Sequence, residues 1–212
     1  MLSRTRVTKL PRRKLAPQPS AIEWMGDRGL LIRFEGDPSR ELTAYLVGMA
    51  EKIAAHAGVI DAAPGHRTVL VEGSSETLME VAAKLEDMSS TITPYQGKLH
   101  EVPVRYDGPD LSWICKHLDL GTEEIISLHS RFPFDVRLIG SPGFIYLSEV
   151  DERIALPRLD EPRMSVPAGT VGIGGRQTGI YGKRRPGGWR LIATAAYVPK
   201  VVPGDKVIFV PA

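Results

Sequence analysis

Between Pro157 and Trp189 the chain concentrates residue types suited to holding an anion. Pro157-Arg158 and Pro162-Arg163 set two arginines on proline-stiffened loops, and a planar guanidinium matches a carboxylate or phosphate. The run from Val166 to Gly175 follows, then Gln177-Thr178-Gly179-Ile180-Tyr181 and Pro186-Gly187-Gly188-Trp189. Glycines such as Gly174, Gly175 and Gly188 would let backbone approach a ligand closely. Gln177 and Thr178 add neutral donors and acceptors, and Tyr181 completes the polar set. Phe144, Pro186 and Trp189 would line the same groove. An acidic substrate or a nucleotide phosphate would suit it. The same composition also fits a barrel whose tight turns demand Gly and Pro, with the arginines solvated or paired to Asp160 or Glu161 and Trp189 as a core anchor.

His129 is the candidate for proton transfer or for polarising a substrate oxygen, because neutral imidazole both donates and accepts. It falls at the end of an expected helix, where it could instead cap that helix. Cys115, beside Ile114 and Leu118, reads as a buried structural thiol. Lys183-Arg184-Arg185 reads as an exposed hairpin tip able to contact a partner. Other chemistries lack their motifs. The first glycine of a Walker A loop ending in Gly182-Lys183 would be position 177, which is Gln177. Neither Ser141 nor Ser165 sits in a G-x-S-x-G elbow. His100, His117 and His129 are far apart in sequence and the chain has 1 cysteine, so no metal site is expected.

The elements that would position these residues fall into two sets. Residues 28–35 read as a strand. Leu42, Tyr45, Leu46, Met49 and Ile53 recur at helical spacing after Ser39, a natural N-cap. Two short strands, 59–62 and 68–72, flank Pro64-Gly65, a helix is expected over 76–87, and a strand alternates over 99–105. Strand, helix, strand, strand, helix, strand is the split βαβ, ferredoxin-like order, and the strand over 99–105 could either end that first domain or begin the next. Two short helices are expected over 110–118 and 123–130. From Asp135 onward short β-prone runs alternate with Pro and Gly turns, which predicts a compact β-barrel. The expected organisation is therefore α+β, with a tail over 1–20, a first domain over 21–100 and a barrel over 101–212.

The whole chain, 212 residues with 42% hydrophobic and 25% charged, has the balance of a globular protein. Six cations and no acid lie in its first 20 residues, so the other 192 sum to −4 against a total of +2. The basic excess belongs to the tail, which reads either as a disordered extension or as a binding arm. With no aromatic interleaving its charges, nucleic acid is not the expected partner. A single cysteine fits a reducing, cytoplasmic setting, and no apolar run is long enough to span a membrane.

The runs P-R-x3-P-R, V-P-A-G-x-V-x-I-x-G, Q-T-G-I-Y and P-G-G-W-x-L-I resemble the KipI-like family, which includes 5-oxoprolinase B subunits and carboxyltransferase subdomains C and D. Ser141-Pro142-Gly143-Phe144-Ile145-Tyr146-Leu147 and Gly26-Asp27 extend the resemblance over about residues 22–211. It implies a ferredoxin-like first part, a cyclophilin-like barrel, and a KipA-like C subunit as partner, with a 5-oxoprolinase A subunit further out. It also implies ATP-dependent opening of a lactam, with the ATP bound here or on the partner. Urea carboxylase-like carboxyl transfer from biotin and inhibition of a sensor histidine kinase are the family's other functions. The segment before Phe144 is one residue shorter than the family pattern, Ser148 and Glu149 replace glycines, and His66 replaces an aromatic residue.

Overall fold

The computed structural model describes residues 17–36 and 39–212, so most of the basic tail lies outside the described residues. A hairpin comes first, β1 (Pro19–Met25) and β2 (Gly29–Phe34), a strand pair that begins within the expected tail. α1 (Arg40–Ala54) starts where the Ser39 hydroxyl accepts the Leu42 N–H at 3.1 Å, as the capping pattern predicts. β3 (Val59–Pro64), β4 (Thr68–Gly73) and α2 (Ser75–Ser90) follow, α2 being capped by Ser74. The strands pair in the order β1-β2-β4-β3, all antiparallel. Leu30, Ile32, Val69 and Val71 alternate onto one face and pack under Leu46, Met49, Ile53, Leu78 and Val81 of the helices.

The strand at 99–105 corrects the expected closure. It is β5 (Leu99–Arg105), and it leaves the first sheet. β1 holds the edge beside β2 instead, and the split βαβ order is not completed. The reason lies in the alternation itself: Val102 and Val104 bury their side chains in the second hydrophobic core, with Phe134, Ile192, Val207 and Phe209. The periodicity showed a half-buried strand without showing which core it serves.

α3 (Leu111–Leu118) and α4 (Thr122–Ser130) come next. Then come β6 (Phe134–Gly140), β7 (Phe144–Glu149), a short 3₁₀ turn over Glu152–Ile154, β8 (Arg163–Val166), β9 (Thr170–Gly174), β10 (Gln177–Tyr181), β11 (Arg185–Gly187), β12 (Arg190–Ala195) and β13 (Lys206–Pro211). The strands β10-β7-β6-β13-β5-β12-β9 close into a seven-stranded barrel, consistent with the cyclophilin-like expectation. β13 and β5 are its parallel pair. β8 and β11 form a separate ribbon outside it. No helix among the described residues is long and apolar enough to cross a membrane.

Candidate functional site

The alternation of the barrel strands builds the site on the outside wall. On β7, Ile145 and Leu147 enter the core, so Phe144 and Tyr146 point out. On β10, Thr178 and Ile180 point in, and Gly179 and Tyr181 point out. On β9, Val171 and Ile173 fill the core, so Gly172 and Gly174 face outward. Two of these outward glycines, Gly174 and Gly179, receive rings. A Cβ on Gly174 would lie 2.6 Å from the Trp189 indole, and one on Gly179 would lie 2.7 Å from the Phe144 ring. The rings pack edge to face: Phe144 to Tyr181 at 4.7 Å, to Trp189 at 4.9 Å, and to Tyr146 at 4.5 Å between centroids. The ribbon and the 158–162 loop close the sides. The result is a cup of about 210 Å³, lined by Tyr146, Tyr181, Trp189, Pro186 and Gly188, with Arg158 and Arg185 at its rim.

The two rim arginines differ. Arg158 is exposed, with its guanidinium carbon 5.7 Å from the Trp189 ring centre, and has no hydrogen bond or ion pair among the described residues. Arg185 lies 5.9 Å above the Phe144 ring and donates to the Ser141 carbonyl at 2.5 Å. The hairpin-tip reading of Arg185 is therefore corrected: the residue starts β11 and faces the cup. Arg185 and Tyr146 were missed as site residues, although Tyr146 stands two positions from Phe144 and so shares its face.

Arg163 is already committed elsewhere. Its Nη2 donates to Asp110 Oδ1 at 2.6 Å and its Nη1 to the Trp189 carbonyl at 3.3 Å. Asp110 Oδ2 accepts the Leu191 N–H at 2.7 Å. Arg163 thus ties the start of α3 to the backbone under Trp189, with Asp110 as its partner in place of Asp160 or Glu161. Gln177 lies beside the cup, not in it. It donates to the Leu147 carbonyl at 3.3 Å and lines a shallow depression with Gly174, Gly175, Glu149 and Arg158.

His129 and Thr178 are withdrawn from the groove. His129 is 0% exposed, and its ring stacks on Phe209 at 4.7 Å between centroids. One tautomer satisfies every group in a single direction. The Thr178 hydroxyl sits 3.1 Å from the Gly172 carbonyl, which can only accept, and in this arrangement its one proton goes there. His129 Nε2, 2.8 Å away, must then donate to Thr178, and Nδ1 accepts from the Tyr106 hydroxyl at 2.9 Å. The chain Tyr106 to His129 to Thr178 to Gly172 is complete and neutral. Burial pushes the imidazole pKa down to about 3. His129 makes no capping bond to its own helix. It is a core residue that joins α4 to β10.

The cup has binding groups but no acid–base machinery. None of its lining residues is His, Cys, Asp or Glu. Burial raises the Tyr181 phenol above its usual value, so it stays protonated. Aromatic faces with an unpaired arginine at the mouth suit a small ring compound bearing an anionic group. No cluster of three His, Cys, Asp or Glu able to hold a metal ion exists among the described residues.

A closed seven-stranded barrel stands beside a separate α/β core and carries an aromatic cup on its outer wall. Residues 20–198 match the family model described as carboxyltransferase domain, subdomain C and D, and the chain belongs to that family. It is 32% identical over 205 residues to the 5-oxoprolinase B subunit of Escherichia coli O157:H7, covering 88% of this chain and 94% of that one. The protein of the same name from Bacillus subtilis strain 168 is 33% identical over 223 residues, covering 89% and 91%. Among solved structures, TTHA0988 superposes with a TM-score of 0.77 at 33% identity. That match takes in 87% of this chain but 40% of TTHA0988, so the relative carries a large further part.

Proposed function

We propose that this chain is the B-type subunit of an ATP-dependent hydrolase of the 5-oxoprolinase class, acting with a KipA-like partner subunit. One observation carries this reading: the cup presents rings and an unpaired arginine but no acid, base or nucleophile. It is suited to hold a substrate whose chemistry is supplied across the open side. The volume, about 210 Å³, is below the roughly 300–1,000 Å³ of clefts for drug-sized ligands and suits a small lactam acid. The lactam ring would lie against Trp189 and Tyr146, with its carboxylate on Arg158. The names of the curated relatives and the further part present in TTHA0988 support a multi-part assembly. In this reading the ATP sits on the partner subunit, and the Walker A pattern is the one phosphate-binding motif ruled out in this chain.

The test is co-purification with the KipA-like protein, followed by ATP hydrolysis with and without 5-oxoproline. A stable complex whose ATPase is stimulated by 5-oxoproline is expected. A complex that instead transfers carboxyl groups from a biotin carrier would replace this reading with the carboxyltransferase one. The absence of any complex would leave the kinase-regulator reading.

A further inference from the structure

The first sheet and the barrel meet along a seam where the polar groups are not matched. On β6 the pairing runs Val136 with Leu147 and then Leu138 with Tyr146, so Arg137 is an extra residue in the strand. Arg137 and Leu138 therefore both face outward beside Tyr146, while Val136 fills the barrel core. Arg137 is 9% exposed. Its Nη2 lies 3.9 Å from Asp135 and 3.6 Å from Glu149, both longer than a hydrogen bond. Its Nε and Nη1 are buried with no partner at all. His66, in the turn between β3 and β4, meets the Tyr146 ring edge-on at 6.5 Å, and its Nδ1 is also buried without a partner. A cleft of about 740 Å³ opens beside this point, lined by His66, Arg67 and Leu138, with Arg33 and Glu35 further along its wall.

A buried donor left unmatched costs about 1–3 kcal/mol, and more when it is charged. A guanidinium can only donate, so whatever satisfies Arg137 must accept. Its two acidic neighbours balance it loosely: Asp135 is shared with Arg40 at 3.9 Å, and the Glu149 side chain is half exposed. The Arg67 side chain adds an exposed guanidinium with no hydrogen bond or ion pair among the described residues, its backbone carbonyl accepting from the Phe34 N–H. We propose that this seam binds a small oxyanion, a carboxylate or a phosphate, gripped by Arg137 and His66 with Arg67 at the mouth. Burial first, then Arg137, hold the His66 imidazole below its ordinary pKa; Glu149 pulls against them, and Arg67 adds the least of the lowering. An oxyanion reverses that balance and makes the protonated ring a second donor. The site is separate from the cup and does not rest on the hydrolase reading, although Tyr146 borders both.

The experiment titrates the full chain with inorganic phosphate, acetate and chloride at constant ionic strength, following the His66 imidazole by nitrogen-15 NMR. A saturable shift with phosphate or acetate but not chloride is expected, and Arg137→Gln should remove it. Saturation by phosphate alone assigns a phosphate ligand, and by acetate alone a carboxylate. Should Arg137→Gln fail to fold, His66→Phe keeps a ring on Tyr146 without the nitrogen. Phosphate or acetate should then raise the melting temperature of this variant only at about tenfold higher concentration, the effect of losing one charged hydrogen bond. No saturable shift in the wild-type chain overturns the proposal and leaves a bridging water in the seam. So does an equal shift in Arg137→Gln, or an equal dependence in His66→Phe.

Discussion

At the scale of single residues, the structure separates groups that hold the fold from groups free to hold a ligand. His129 shows the first kind. Its folded pKa lies below the ordinary 6.5, so between about 3 and 6.5 the unfolded chain binds a proton that the folded chain does not. Its contribution is complete above 6.5 and is lost as the pH falls below it. Urea unfolding at pH 7.5 and 5.5 should differ by about 1.4 kcal/mol from this residue alone. In His129→Gln that part of the slope should vanish, and an unchanged slope would mean another group is responsible. Arg163 and Arg158 make a contrasting pair. Arg163→Ala strands the Asp110 carboxylate, which is 7% exposed, and should lower stability by about 2–4 kcal/mol in denaturant titrations. Arg158→Ala breaks no hydrogen bond or ion pair among the described residues and should stay within about 0.5 kcal/mol of wild type. Binding of an anionic lactam by the assembled complex should nevertheless weaken about tenfold or more, read as a rise in KM. A normal KM in Arg158→Ala would remove the residue from the site.

At the scale of elements, outward glycines on β9 and β10 replace side chains with aromatic rings. Gly174→Ala puts a methyl into the Trp189 indole, an overpacking of about 1–3 kcal/mol. It should also change Trp189 fluorescence and weaken ligand binding together, whereas a change in stability alone would place the cup elsewhere. The sequence carried much of this architecture. Helical spacing located α1 with its Ser39 cap, and α2 without its Ser74 cap, and the shift to short runs after Asp135 announced the barrel. Three things were not readable, each for a physical reason. β1 is exposed along nearly its whole length, so it shows no apolar alternation. β5 alternates correctly, but period 2 does not name the core that it serves. Thr178 sits in a motif-like run, yet its facing depends on the register of β10, and the burial of His129 depends on α4 packing over Phe209 of β13; both are settled only in three dimensions. Of the glycines read as letting backbone approach a ligand, Gly174 is approached by the protein's own Trp189 ring, whereas a Cβ on Gly175 would meet nothing within 4 Å.

At the scale of the whole molecule, the two cores are joined by the segment before β5, and Asp205 anchors that segment to the barrel. Tyr95 donates its N–H to the Ala44 carbonyl of α1 at 2.9 Å and its hydroxyl to Asp205 at 2.9 Å. Asp205 also accepts from the Lys98 N–H at 2.8 Å, the His100 imidazole at 3.1 Å and the Val202 N–H at 3.1 Å. Burial by itself would raise the Asp205 pKa, but these bonds hold it below the ordinary carboxylate value. Its contribution is therefore intact above about pH 3.9 and lost as the pH falls through the depressed value. Tyr95 spans both units, one polar group bound to each, while Asp205 belongs to the barrel alone. Asp205→Ala leaves the Lys98 and Val202 amides without their acceptor and should cost about 3 kcal/mol. Hydrogen exchange shows how that loss is distributed. If the segment couples the cores only through Tyr95, protection should collapse in β5 and β13 while α1 and β4 keep most of theirs. Tyr95→Phe, which removes one bond to a charged acceptor, should cost about 1.5–3 kcal/mol and leave the barrel amides protected. Equal loss of protection in both cores of Asp205→Ala would instead mean that the chain unfolds as one unit, with the seam at Arg137 and His66 carrying the coupling.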